Sequence, residues 1–417
     1  MKFPDYDPQY QIASSIISTL QNAGFKAYLA GGCVRDMVMG TQPSDYDITT
    51  SAASADIKSL FKNTVEVGAA FGVLLVIKNG YTFQVSSFRQ NAVTPQEDAE
   101  LRDFTINGMF YDTSTGELFD WVNAKADIED KTIRAIGNPD ARFSDDYLRL
   151  IRAVRIASHL RFTIEPGTRT ALVRLAHRLL LTSTERIRDE FIRLCESPDA
   201  AYGFQLLYET SLLEVLLGSI VDIQEIENYL TVKERVETLL RLIRASQSQD
   251  YYLRIASFCF SFLRLNPAPA PLTPGDKDDI IAFLKKFKFT NRDRKSIVAI
   301  MENSHVFSRP GRLSRGEQVK LLQSTTISEE LEFNRIVNEA FVKSTEGYNH
   351  YHSLFSSLSH AEIHPVPVLT GTDLLSLGLK PSKQFSLILS KAEIKQLNGD
   401  FSSKEDALQW VKEHYPL

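Results

Sequence analysis

The hydrophobic rhythm of the chain changes once, near Ser144, and that change constrains the fold more than any other feature. Before it, short β-rich runs alternate with helical stretches; after it, apolar residues recur at helical spacing. PQYQIASSIISTLQNAGF has helical spacing and ends at Gly24. KAYLAGG reads as a strand entering a turn, SDYDITT as a short strand and ADIKSLFKN as a helix. FGVLLVIKNGYTFQVSSF reads as two strands joined at Asn79-Gly80, a hairpin turn signature. This part predicts an α+β fold with an antiparallel-leaning sheet. Beyond it, DDYLRLIRAVRIASHL places Leu148, Ile151, Val154 and Ala157 on one helix face and Arg149, Arg152 and Arg155 around another. TSTERIRDEFIRLCE follows, with Thr184 as N-cap, and helices continue to about Asn303, broken by the Pro-rich loop NPAPAPLTPGD.

A length of 417 residues suggests two to four domains. No apolar run approaches the about 18 residues of a transmembrane helix, and MKFPDYDPQY lacks the features of a signal peptide. Cys33, Cys195 and Cys259 are too few and too scattered for a disulfide framework or a zinc site, so a reducing, cytoplasmic setting fits. The net charge of −5 hides an asymmetry: ten arginines lie between Arg149 and Arg193, against Glu165, Glu185, Asp189 and Glu190. A second basic cluster, KKFKFTNRDRK, runs from Lys285 to Lys295. Basic surfaces on an acidic chain can attract a polyanion, though such runs often serve only as solvated helix faces.

On a strand, residues two apart share a side, so Asp45 and Asp47 point together and Tyr46 points away. Carboxylates so placed repel unless something positive sits between them. Magnesium takes oxygen ligands from few carboxylates plus substrate phosphates, and two such ions can stabilise the attacking and leaving oxygens of a phosphoryl transfer. Alone, Asp-x-Asp is more often a solvated turn or an N-cap. Here Gly31 and Gly32 precede it, and without a β-carbon their backbone amides can approach a triphosphate closely. A helix starting near Val34 would aim its positive end at the same place.

Five stretches then occur in order: GGCVRD, SDYDITT, LRDFTINGMFYD (Leu101 to Asp112), IGNPDARFSDDYLRLIRAVRIA (Ile136 to Ala157) and ERIRDEFIRL (Glu185 to Leu194). With LTGTDLLSLGLKPSKQFSLIL near the end, the chain resembles the class II tRNA nucleotidyltransferases and bacterial poly(A) polymerases. The resemblance implies a polymerase-β-type nucleotidyltransferase head (1–138) followed by an all-α neck (139–200), body (201–330) and tail (331–417). It implies a template-independent transferase acting on the 3′ end of tRNA with CTP, and with ATP where the full CCA is added. Asp45 and Asp47 match the metal ligands, with Mg²⁺ as cofactor. Gly31, Gly32 and Arg35 match the triphosphate-binding turn, and Asp36 is expected to tie that turn to the scaffold. Arg102, Asp103 and Asn107 match the motif that holds the nucleotide's sugar and phosphates. Asp146 and Arg149 match the protein template that reads the base, while Arg152 and Arg155 are expected to meet phosphate, or only solvent or an acidic neighbour.

The template is chemically sensible. Cytosine and adenine each offer an exocyclic amino donor beside a ring-nitrogen acceptor, which a carboxylate and a guanidinium complement. Uracil and guanine present the reverse polarity and would leave buried groups unpaired, at about 1–3 kcal/mol each. At i and i+3 of one helix, Asp146 and Arg149 are expected to share a face.

Two departures from the pattern stand out. Where the family carries a third acidic residue, TFQVSSFR has Gln84, unless Glu66 or Glu97 supplies the charge. Only twelve residues, QNAVTPQEDAEL, separate Arg89 from Arg102, where CCA-adding members carry a longer, basic, flexible loop. Losing that lever should remove the rearrangement that resizes the pocket for ATP, which favours addition of CC. A smaller departure is Leu101, often arginine in the family. The motifs of the head also admit a poly(A) polymerase, and Gln84 with the short segment admits a non-catalytic tRNA-binding relative. His159 and His177 have no ligand-spaced companions, Cys33 reads as a small filler, and Phe258, Phe260 and Phe262 read as core.

Overall fold

A computed structural model describes residues 7–67, 73–218, 230–246, 248–264, 270–308, 311–401 and 403–415. The chain forms two units, Met1–Leu216 and Leu217–Leu417.

In the first unit seven strands form one sheet: β1 (Ala27–Ala30), β2 (Ile48–Thr50), β3 (Thr64–Glu66), β4 (Val73–Lys78), β5 (Tyr81–Ser87), β6 (Phe110–Tyr111) and β7 (Leu118–Phe119). Their order is β3-β4-β5-β2-β1-β6-β7. Every neighbouring pair is antiparallel except β2 and β5. The β4–β5 hairpin turns where the sequence indicates: Lys78 pairs with Tyr81, and Asn79 (φ 52°) and Gly80 (φ 81°) both take the positive φ of a type I′ turn. One sheet face carries a core of Leu29, Ile48, Leu74, Val76, Phe83 and Val85, covered by Ile16, Ile17 and Leu20 of the first helix, α1 (Pro8–Asn22). Asp7 caps α1 through the Gln9 amide.

Three helices interrupt the strands: α2 (Gly32–Val38), α3 (Ser54–Leu60) and α4 (Pro95–Glu100). The helix α2 begins two residues earlier than expected, directly on the glycine turn. The helix α5 (Ala124–Glu129) closes the mixed region, and a parallel ribbon of β8 (Thr132–Ile133) and β9 (Thr163–Ile164) follows. From there the unit is helical: α6 (Pro139–Asp145), α7 (Leu148–Leu160), α8 (Pro166–Leu175), α9 (Thr184–Cys195) and α10 (Ala200–Glu209). Leu148, Ile151, Val154 and Ala157 are all buried, as the spacing of α7 requires. The N-cap of α9 is Ser183 rather than Thr184, the one-residue slack usual at frayed helix ends.

Two expectations need larger correction. In SDYDITT only Ile48–Thr50 is strand, so Asp45 and Asp47 lie in the extended approach to β2. The opposed sidedness survives, because Tyr46 is only 2% exposed and packs in the core with its hydroxyl on Asp7. Asp146 and Arg149 are not on one helix face. Asp146 caps the C-terminus of α6 with φ −158° and ψ 106°, and Arg149 is the second residue of α7.

The second unit is built of helices among its described residues. Phe258, Phe260 and Phe262 of the helix Tyr251–Phe262 are buried as expected, with Phe258 against Phe283 at 5.4 Å between ring centroids. The Pro-rich loop falls partly on 265–269, outside the described residues; its end, Thr273, caps the helix Pro274–Lys286. Towards the end of the chain Leu369, Leu374, Ile388, Trp410 and Val411 form a separate small core. Among the described residues no helix is long and apolar enough to cross a membrane.

Candidate active site

The turn between β1 and α2 is shaped by Gly31, whose φ of 86° and ψ of −138° suit only glycine. A β-carbon there would stand 3.3 Å from Arg102 Nη1 and 3.9 Å from Asp47 Oδ2, so the glycine lets the backbone pass close to both. The Ala30 amide donates to the Asp47 carbonyl at 3.1 Å, fastening the turn to the acidic segment. Beneath it Cys33 is buried, and burial, followed by the nearby Asp47 charge, pushes its thiol up to about 12, which fits a filler and not a nucleophile.

Asp45 is exposed and Asp47 partly buried. Among the described residues neither carboxylate has a hydrogen-bond or ion-pair partner. Burial, then the charge of Asp45, pushes the Asp47 carboxyl up to about 6, although Arg102, Arg89 and Arg152 pull the other way. Two close carboxylates without a cation between them are an electrostatic debt that a hard divalent ion would cancel, and their oxygens are the donors such an ion takes. The parallel register of Ile48 with Val85 places Gln84 in step with Asp47 on the face opposite the core. Neither suggested substitute is free: Glu66 pairs with Lys58 at 2.9 Å, and Glu97 caps the Val93 and Thr94 amides.

Around this acidic pair lies a chain of engaged cations. Arg35 gives Nε and Nη2 to Asp36 at 2.9 and 2.7 Å and Nη1 to Asn107 Oδ1 at 2.9 Å. Asp36 therefore holds an arginine and does not anchor the turn itself. Asn107 Nδ2 donates to Asp103 at 3.3 Å, and the other Asp103 oxygen pairs with Arg152 at 3.4 Å. Glu190 of α9 takes Arg152 Nε at 3.3 Å and Arg155 Nε at 2.5 Å. Arg102 is buried, lies 4.7 Å over the Phe110 ring, and donates Nε and Nη2 to Asp98 Oδ2 at 3.2 and 3.0 Å. Burial and Arg89 bring its guanidinium down to about 10, still charged at neutral pH.

The side chains of Asp146 and Arg149, expected to read the base, take different partners, although the Arg149 amide donates to the Asp146 carbonyl at 3.1 Å. Arg149 donates to the carbonyls of Arg142 (2.9 Å) and Leu101 (3.3 Å), with Asp145 at 3.6 Å. Asp146 pairs with Arg186, not with Arg149, at 3.2 and 2.7 Å.

Residues 27–134 match the family model described as the poly A polymerase head domain, and 161–223 match a probable RNA and SrmB- binding site of polymerase A. A CCA-adding enzyme of Lactobacillus johnsonii is 35% identical over 52% of this chain; that match spans only 58% of the relative's own length. A CCA-adding enzyme of Leuconostoc citreum is 33% identical over 72% of each chain. The chain belongs to the family of CCA-adding enzymes and poly(A) polymerases. Among solved structures, the Bacillus stearothermophilus CCA-adding enzyme in complex with CTP superposes with a TM-score of 0.77 at 26% identity, over 98% of both chains.

Against this family background the sequence missed three organising side chains. Asp98 is fully buried and bridges Arg89, at 3.1 Å to each oxygen, and Arg102. Its signal was present: Thr94-x-x-Glu97 forms a capping box that starts α4, and Asp98 stands four residues before Arg102. Glu190 and Arg186 are one helical turn apart on α9, a spacing that puts both on the same face.

Proposed function

We propose that this chain is a template-independent RNA nucleotidyltransferase that adds CMP to the 3′ end of tRNA and releases pyrophosphate. One observation carries the reading: among the described residues the carboxylates of Asp45 and Asp47 have no partner, and that of Asp47 lies beside the glycine turn of this head. In the reaction, the RNA 3′-oxygen attacks the α-phosphorus of CTP as the bond to the β-phosphate breaks. Asp45 and Asp47 would hold magnesium, with the Gln84 amide oxygen as a neutral neighbour. When bound, the metal supplies acidity to the 3′-hydroxyl and charge neutralisation to the leaving pyrophosphate.

The turn at Gly31 and Gly32 admits the triphosphate close to backbone amides. Arg102, Asp103 and Asn107 hold sugar and phosphates, with Arg35 bracing Asn107. Asp146 accepts from the amino group of the base and Arg149 donates to its ring nitrogen. Arg152 and Arg155 are engaged by Glu190, which fits structural support more than direct phosphate contact. The head, neck, body and tail divide at 138, 200 and 330. The basic neck and the exposed Lys285, Lys286 and Lys288 of the body meet the tRNA backbone.

The finer reading is CC addition. The segment between Arg89 and Arg102 is short and folded: a 3₁₀ turn (Arg89–Asn91) and α4, pinned by Asp98. A pinned clamp does not supply the lever that the longer loop provides. Gln84 favours a second reading, a tRNA-binding relative without transfer, because it brings no charge to the metal.

The test is incubation of tRNA lacking CCA with Mg²⁺ and each triphosphate in turn. Incorporation of C alone supports CC addition, and C followed by A supports the full CCA. Long A tracts mean a poly(A) polymerase. No product with intact tRNA binding means the non-catalytic relative.

A further inference from the structure

We propose that Arg186 is a positioning residue for base selection: its guanidinium fork orients Asp146 so that one acceptor lobe stays open to the incoming base. The inference rests on the reading of Asp146 as the acceptor for the exocyclic amino group.

Asp146 needs an external brace. It lies between α6 and α7 with extended dihedrals, so no helix turn fixes its side chain. Arg186 provides a bidentate grip, Nη1 on Oδ1 at 3.2 Å and Nη2 on Oδ2 at 2.7 Å. The Leu148 amide also donates to Oδ1, at 3.1 Å. An ionised carboxylate has about four acceptor lobes, two per oxygen. Oδ1 is thus filled by Arg186 and Leu148, while Oδ2 keeps one lobe beyond its bond to Arg186. A single open acceptor of fixed direction can be aimed at the exocyclic amino position, where cytosine and adenine offer an N–H and uracil presents a carbonyl oxygen instead. Two parallel bonds also stop rotation of the carboxylate plane, which a single contact would allow.

The brace is part of a larger arrangement on α9. One turn after Arg186, Glu190 grips Arg152 and Arg155 of α7. The same helix therefore fixes an anion with a cation at one level and two cations with an anion at the next. The Arg186–Asp146 pair is partly exposed, with side chains 43% and 27% accessible, so its contribution to folding stability is small and its geometric role can be separated from a structural one.

The test compares the full chain with Arg186→Gln, Arg186→Lys and Asp146→Ala. Single-nucleotide incorporation from CTP and from UTP is measured on tRNA lacking CCA, with thermal midpoints alongside. Arg186→Gln is expected to raise KM for CTP and narrow the CTP:UTP preference by about tenfold each, with kcat changed much less. The midpoint should move by no more than about 2 °C. Arg186→Lys keeps the charge without the fork and should narrow the preference as well. If both variants keep the wild-type preference while Asp146→Ala loses it, Arg186 is only a surface ion pair and the inference is wrong. If Asp146→Ala itself keeps the preference, the template reading falls first. Should the chain transfer no nucleotide, the same variants are compared by calorimetric titration with CTP and UTP; equal ratios in wild type and Arg186→Gln overturn the inference there too.

Discussion

The acidic residues of the first unit divide by their company. Asp98, Asp103, Asp146 and Glu190 each hold one or two arginines. Among the described residues Asp45 and Asp47 hold none, and the Asp47 carboxylate stands beside the Gly31 backbone. The difference is visible electrically. Burial would raise the Asp98 and Asp103 carboxyls, but Arg102 and Arg89 at the first, and Arg152 at the second, keep both below the ordinary value. Asp47 is instead pushed up to about 6. Paired acids spend their charge on positioning cations; the unpaired acids keep theirs available, at a cost in stability that a metal would remove.

The largest effect that could break this division is catalytic. Asp45→Ala or Asp47→Ala should lower nucleotide transfer by about a thousandfold or more, measured by label incorporation, with tRNA affinity nearly unchanged. Next comes the paired set. Asp98→Asn leaves Arg102 buried without its counter-charge and should destabilise the fold by about 3 kcal/mol at neutral pH, read from denaturant unfolding. The sign with pH follows from the depressed carboxyl. Its stabilisation is present above the unfolded value of 3.8 and is lost as pH falls through the lower folded value, so wild type and variant should converge in acid.

A smaller effect separates metal binding from base reading. Asp146→Ala or Arg149→Ala should reduce the preference for CTP over UTP by about ten- to a hundredfold, in competition assays, while total incorporation falls less. The smallest effect has the opposite sign from the Asp98 change. Asp47→Asn should stabilise the metal-free chain by about 1–2 kcal/mol, because it removes a repelled, partly buried charge. Adding Mg²⁺ should then raise the melting midpoint of wild type but not of the variant. Destabilisation by Asp47→Asn in chelator would mean that the pair is structural.

Much of this was legible in the sequence. The Asn79-Gly80 hairpin, the apolar face of α7 and the turn at Gly31 follow from local chemistry, because each depends on neighbours within a few residues. The Asp45-x-Asp47 pair was legible as a pair, yet its strand begins only at Ile48. The sidedness came out right because Tyr46 is drawn into the core. What stayed hidden was partner choice across the chain. Nothing local tells Asp146 to meet Arg186, forty residues on, in place of Arg149 three residues away; the break between α6 and α7 decides it. Asp98 was hidden for a related reason: a carboxylate four residues before Arg102 reads as a solvated helix pair, whereas both side chains are buried, Arg102 over the Phe110 ring.

The most direct test of the central claim is Mg²⁺-dependent CMP incorporation into tRNA lacking its terminal CCA, run on wild type, Asp45→Asn and Asp47→Asn with tRNA binding measured in parallel. The account predicts incorporation by wild type, near-complete loss in both variants, and unchanged tRNA affinity. Turnover close to wild type in either variant would contradict it.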